Sequence, residues 1–213
     1  MKNRMYPFLF SILLIIHACV PVNSSFDSAR MLEKGELGIR GNGSDYYYNA
    51  GGNTDRSNTN YGLAIIYGLN TRWNISGRYE VIDFPDNTTD FYHYAEIKTK
   101  FSILPNTLAL CLPLGVYAAE EQKPVYVLSP QAMFTYPFNA RCEITFSAKA
   151  DLFLEKDDDI PIGLQAGLGL SSNLEKWALR PEIGYMIHPG VAERAFTYGV
   201  GLQYNFTLFQ AQE

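Results

Sequence analysis

Between residues 36 and 209 the apolar side chains of this chain fall, segment after segment, on every second position. The clearest stretch is 141–152. There Cys142, Ile144, Phe146, Ala148, Ala150 and Leu152 alternate with Arg141, Glu143, Thr145, Ser147, Lys149 and Asp151. A period of two puts neighbouring side chains on opposite faces of an extended strand, so each segment has one apolar and one polar face. The same pattern predicts ten strands, at about 36–48, 59–69, 72–83, 90–104, 106–119, 125–138, 140–153, 160–173, 177–187 and 194–209. Strands in globular proteins average about 5–6 residues, whereas a tilted strand that crosses a bilayer needs about 9–11. The predicted segments have the longer length. Composition agrees: Tyr (15) and Phe (13) are abundant while charged residues are only 18%, against about 25% in soluble domains.

The connections set the topology. Tight turns at 69–72, 104–106, 137–140 and 172–176 alternate with longer polar stretches at 49–58, 84–89, 120–124, 154–159 and 188–193. Outer-membrane barrels have short periplasmic turns, longer extracellular loops and an even strand number. The expectation is therefore an all-β, up-and-down antiparallel transmembrane β-barrel of ten strands, with eight or twelve as alternatives. Aromatics near strand ends suit two interfacial girdles: Trp73, Phe138 and Trp177 on the short-turn side, and Tyr46, Tyr47, Tyr48, Phe91 and Tyr92 on the long-loop side.

The first 19 residues read as an export signal, with Lys2 and Arg4 before the apolar stretch Phe8–Ile16, which is too short to span a bilayer. Ile16-His17-Ala18-Cys19 resembles the lipobox of bacterial lipoproteins, which implies that Cys19 becomes the lipidated first residue. The alternative is an ordinary signal peptide cleaved near Asn23–Ser25, with Cys19 lost. Residues 20–34 read as a periplasmic tether and 35–213 as the barrel domain. The stretches Ala29–Glu36 (Ala-Arg-x-Leu-x-Lys-Gly-Glu) and Tyr67–Trp73 resemble those of a broad group of small bacterial outer-membrane barrel proteins. That resemblance implies the outer membrane, with its lipid and the barrel-assembly machinery as partners, and no particular activity. The aromatic final strand (Tyr204, Phe206, Phe209) resembles the C-terminal signal that the assembly machinery reads.

Parity assigns charges to the lumen. Arg40, Arg78, Lys98, Lys100, Arg141, Lys149 and Arg180 face Glu36, Glu80, Glu96, Glu143, Asp151 and Glu182, a nearly neutral set. Unpaired charge in a narrow lumen is costly, and the interiors of the smallest barrels are filled by side chains. The expected role is a plugged barrel with a structural or surface-interaction function. A narrow ion or small-solute channel is one alternative, and a rim hydrolase of the omptin type is another. The long loops carry Asp45, Asp55, Asp83, Asp86, Asp90, Glu120, Glu121, Glu155, Asp157, Asp158, Asp159 and Glu193 against Arg56, Lys123, Lys156 and Arg194. Such an acidic rim suits divalent-cation bridging to anionic head groups. With a net charge of -5 and no basic stripe, nucleic acid is not an expected partner. No cofactor motif, Gly-x-Ser-x-Gly or zinc-spaced Cys/His cluster occurs. His93 falls on the lipid-facing parity and His188 at an outer strand end, so neither marks a catalytic centre and no enzymatic activity is expected.

Overall fold

The computed structural model describes residues 23–50, 53–85, 92–120, 122–155, 160–190 and 194–207; residues 1–19, expected to be an export signal, lie outside them, Cys19 included. The strand segments are β1 (Glu36–Ala50), β2 (Asn53–Asn70), β3 (Trp73–Asp83), β4 (Tyr92–Leu104), β5 (Leu108–Ala118), β6 (Val125–Leu128), β7 (Gln131–Asn139), β8 (Cys142–Ala150), β9 (Leu152–Phe153), β10 (Ile162–Leu170), β11 (Trp177–Ile187) and β12 (Arg194–Thr207). All pairings are antiparallel, and β1 pairs with both β2 and β12, which closes the sheet. β6 and β7 both lie against β5, while β9 and β8 lie against β6 and β7. β6 with β7, and β8 with β9 across Asp151, each form one interrupted wall strand, so the wall has ten strands. The break between β6 and β7 falls at Ser129–Pro130, where proline has no N–H for the ladder. It is bridged by Ser129 Oγ, which donates to Asp151 Oδ1 at 2.5 Å.

The hairpin of β1 and β2 is longer than its sequence pattern indicates. The ladder continues to Ala50 opposite Asn53, past a bulge at Tyr46/Tyr47. An extra residue in one strand shifts side-chain parity, which hides the pairing from a period-two reading. Three consecutive tyrosines cannot all face one way on a strand. Tyr47 stacks outside on Tyr198, with ring centroids 5.6 Å apart. Tyr46 is buried inside, with its hydroxyl 3.4 Å from Met186 Sδ.

The two faces of the wall are opposite in character. Outward residues such as Tyr61, Leu63 and Ile65 of β2, Ile97 of β4, Leu110, Leu112 and Leu114 of β5, and Val200 and Leu202 of β12 are exposed. Inward residues such as Arg40, Glu80, Lys98, Glu143 and Arg180 are buried. At the short-turn end Trp73 packs on Phe101 and Tyr136 on Phe138, at 4.7 and 5.5 Å between centroids. An apolar band of this extent, wrapped round a charged interior, is stable when hydrocarbon rather than water covers it.

Candidate functional site

The lumen is occupied by the chain's own N-terminal segment. Residues 23–29 are all buried, as is Leu32. Of the stretch expected as a periplasmic tether, residues 23–32 therefore lie inside the barrel, while Glu33 and Lys34 are exposed at its end. The segment runs the height of the wall. Asn23 lies against Gly163, Gly184 and Thr197, close to the long-loop ends of β10, β11 and β12. Leu32 and Glu33 lie against Gly38 and Gly68, at the short-turn ends of β1 and β2. At Gly35, with φ +81°, the chain turns into β1; the Gly35 N–H donates to Gly68 O at 2.9 Å. A left-handed residue at so tight a reversal suits glycine, which has no Cβ to clash.

The segment joins no ladder among the described residues, so its backbone groups need other partners. Wall side chains supply them. Gln165 Nε2 donates to Asn23 O, Arg78 Nη1 to Ser24 O and Arg40 Nη1 to Phe26 O, at 2.8, 2.8 and 3.2 Å. Lys100 Nζ donates to Ser28 O and Arg30 O at 3.0 and 2.8 Å. The N–H groups of Ser25 and Phe26 donate to the two carboxylate oxygens of Glu182, each at 2.8 Å. The Ala29 N–H donates to Thr135 Oγ1 at 2.8 Å.

The electrostatic centre is Asp27. Its carboxylate accepts from Lys98 Nζ at 2.9 Å and Lys100 Nζ at 3.0 Å, with Arg40 Nη1 at 3.8 Å. Three buried cations thus surround one buried anion. The sequence pattern set this residue aside, because 20–34 has no strand period. No local signal pointed to it, since the inward charges of the strands already come close to balance.

The other residues assigned to the lumen sort as follows. Arg78 is bonded to Glu80 two positions along its own strand, and Asn42 Nδ2 also donates to Glu80. Arg78 lies opposite Glu96 in the ladder, but Glu96, half-buried, accepts from the Tyr94 hydroxyl at 2.7 Å. Glu143 is fully buried between Arg180, at 3.0 Å, and Arg30 of the inner segment. Lys149 and Asp151 approach to 3.1 Å. Glu36 caps the entry to β1, accepting from the Glu33 N–H at 2.8 Å. Arg141 is a correction. It is exposed in the turn before β8, where its N–H donates to Asn139 Oδ1 at 2.8 Å. The turn consumes the residue that strict alternation gave to the strand.

Space for the segment comes from glycines on the inner wall. A Cβ built on Gly201 would lie 2.8 Å from Phe26 Cβ and 3.1 Å from Phe26 Cγ. Those contacts belong to the inner segment alone. Gly201→Ala is expected to cost about 1–3 kcal/mol, as overpacking does. In a chain lacking residues 23–32 the same change should cost nothing. Urea titrations of the four proteins would check it; an equal cost in both backgrounds would place the clash in the wall.

At the rim, Asp45 accepts from Thr59 Oγ1 at 2.6 Å and lies 3.6 Å from Arg56. Among the described residues no three His, Cys, Asp or Glu side chains gather at metal-binding spacing. Of the acidic loop residues, Asp86, Asp90, Glu121, Asp157, Asp158, Asp159 and Glu193 lie outside the described set. His93 Nδ1 is 2.7 Å from the Tyr79 hydroxyl, and the two rings stack on the outer face. His188 is half-buried at the end of β11.

A closed ten-stranded wall, apolar outside and charged inside, with aromatic ends, defines a small outer-membrane β-barrel protein. No protein-family model matches the chain, and no curated protein is significantly similar to it. Among solved structures it is similar to Ail, the attachment invasion locus protein of Yersinia pestis, at 12% identity and TM-score 0.37, over 81% of this chain and 99% of that one. It is also similar to the translocator domain of autotransporter NalP from Neisseria meningitidis, at 10% identity and TM-score 0.47, over 94% and 96%. The KdgM porin aligns at 12% identity and TM-score 0.43, over 80% and 99%. At such identities the likeness concerns the fold alone.

Proposed function

We propose that this protein is a structural or surface-interaction barrel of the outer membrane whose lumen is closed by its own N-terminal segment, with no catalytic role. In this reading Cys19 is the acylated first residue of the mature chain. The observation that supports closure is the seating of Asp27 among Arg40, Lys98 and Lys100, with the flanking backbone bonded to wall side chains. A ten-stranded wall is narrow, and barrels near this size are filled by side chains rather than water. The narrow-channel alternative requires that the segment leave.

Planar-bilayer recording tests the reading. The full chain should give no discrete conductance steps, and a chain lacking residues 23–32 should give them. Steps from the intact protein, unchanged by the deletion, would replace closure with a channel function.

A further inference from the structure

We infer that the barrel holds an anion site beside the inner segment, open at the short-turn end, that takes a phosphate group still carrying a proton, as the free ion or as a monoester. The inference rests on the closed-lumen reading, because Asp27, Ser28 and Arg30 of the seated segment form one side of the site.

A cavity of about 800 Å³ lies between this part of the segment and the wall, with Arg72, Asn106 and Lys176 of the short turns at its mouth. Small-molecule sites are clefts of roughly 300–1,000 Å³. Arg180 and Gln203 line the inner part and are only 4% and 9% exposed. Each has a buried polar atom with no partner among the described residues, Arg180 Nε and Gln203 Oε1. Neighbours fix how Gln203 points. Asn205 Nδ2 donates to Glu175 O at 2.8 Å, which turns Asn205 Oδ1 to accept from Gln203 Nε2 at 2.9 Å. The Gln203 carbonyl oxygen is the end left over. Arg180 gives Nη2 to Glu143, at 3.0 Å, and keeps Nε.

The ladder brings these atoms together. Gln203 of β12 lies opposite Ala178 of β11, two positions from Arg180, and opposite Arg40 of β1 on its other side. Arg40 Nε is a third buried atom with no partner. One amide acceptor therefore sits between two guanidinium donors on three adjacent strands. Buried polar groups are nearly always satisfied, and a group that accepts twice and donates once would satisfy all three.

Charge identifies that group. Towards the short-turn end Arg30, Arg40, Lys98, Lys100 and Arg180 are paired with two carboxylates, Asp27 and Glu143. Glu80, Glu96 and Glu182, which balance the lumen as a whole, lie further towards the long loops on their strands. Water would complete the hydrogen bonds and leave the surplus positive charge. Sulfate and ionised carboxylates would meet the charge but have no proton for Gln203. A phosphate monoanion, or a monoester that keeps one proton, does both.

The test is equilibrium dialysis of the folded full chain in micelles against radiolabelled inorganic phosphate, glycerol phosphate and sulfate. Mildly acidic buffer keeps protons on the two phosphates and none on sulfate. Inorganic phosphate is expected to bind about ten-fold or more tighter than sulfate, the size of one hydrogen bond to a charged group, although sulfate carries the greater charge. Glycerol phosphate binding as well assigns the site to monoesters; inorganic phosphate alone assigns it to the free ion. Gln203→Leu should bring phosphate down to the level of sulfate. Arg180→Lys keeps a cation beside Glu143 but removes Nε, and should weaken every ion. Heat-modifiable gel migration reports that each variant is folded. Equal binding of phosphate and sulfate by the parent, or binding of neither, overturns the inference whatever the variants do. Bilayer recording of the parent separates the two readings. A silent barrel that fails to select phosphate loses the site alone; a conducting one loses the closed lumen, and one side of the site with it.

Discussion

Asp27→Asn should destabilise the barrel by about 3–5 kcal/mol, the usual cost of leaving buried charge without its partner. The side chain keeps its size and can still form hydrogen bonds, so packing contributes little. What is lost is the carboxylate that Lys98 and Lys100 share, with Arg40 beside them. Like charges then face one another inside the barrel, where Arg40, Lys98 and Lys100 are all buried. Replacing the partners should restore much of the loss. Asp27→Asn combined with Lys98→Met and Lys100→Met is expected to be more stable than Asp27→Asn alone, the non-additivity that marks interacting sites. Urea unfolding in micelles, followed by gel migration, measures all of these. Equal stability of Asp27→Asn and the parent would mean that the cations are hydrated, and so that the lumen is wet.

The second large effect belongs to the outer face. Ile97, in the middle of β4, is the most exposed of the large apolar side chains on that strand at 63%. Ile97→Arg should cost about 2–4 kcal/mol, the range for arginine on the lipid face of a barrel near the bilayer midplane. Ile97→Leu should be nearly neutral, because lipid tails accommodate either shape. The adjacent Lys98 is a cation that the same strand tolerates, since its face meets Asp27. Two neighbouring positions therefore have opposite requirements. A cost for Ile97→Arg within error of zero would mean that this face meets water.

The Ala29–Glu36 stretch has a physical explanation in the contacts it makes with the wall. Ala29 has no exposed surface and packs with Ala109, Cys111 and Met133, where a larger side chain would not fit. Arg30 reaches Glu143, Leu32 is buried against Gly38, Gly35 makes the reversal, and Glu36 binds the Glu33 N–H. Residues that in sequence look like the approach to the first strand are the lower half of the inner segment.

The ten wall strands, their facing and most of the alternation of short and long connections were legible in the sequence; the stretch 49–58, expected as a long loop, is instead mostly paired strand. Each follows from a local regularity: side-chain direction in a strand depends only on parity, and polar, proline- and glycine-containing stretches interrupt it. For the same reason Lys98, Lys100, Glu143, Arg180 and Glu182 could be assigned to the interior from the strands that carry them. Arg141 and Tyr46 show where locality fails, at a turn that takes up one residue and in a run of like residues that parity must divide. The occupant of the lumen was beyond reach. Residues 23–33 have no period, because they pair with no strand and meet different partners along their length. Ser25 and Phe26 are fixed by Glu182, more than 150 positions away, and Asp27 by Lys98, 71 positions away. Only closure of the wall brings those groups to one axis. The sequence by itself determined the barrel; the tertiary structure decided what fills it, because a segment held by side chains from strands all round the wall carries no pattern of its own.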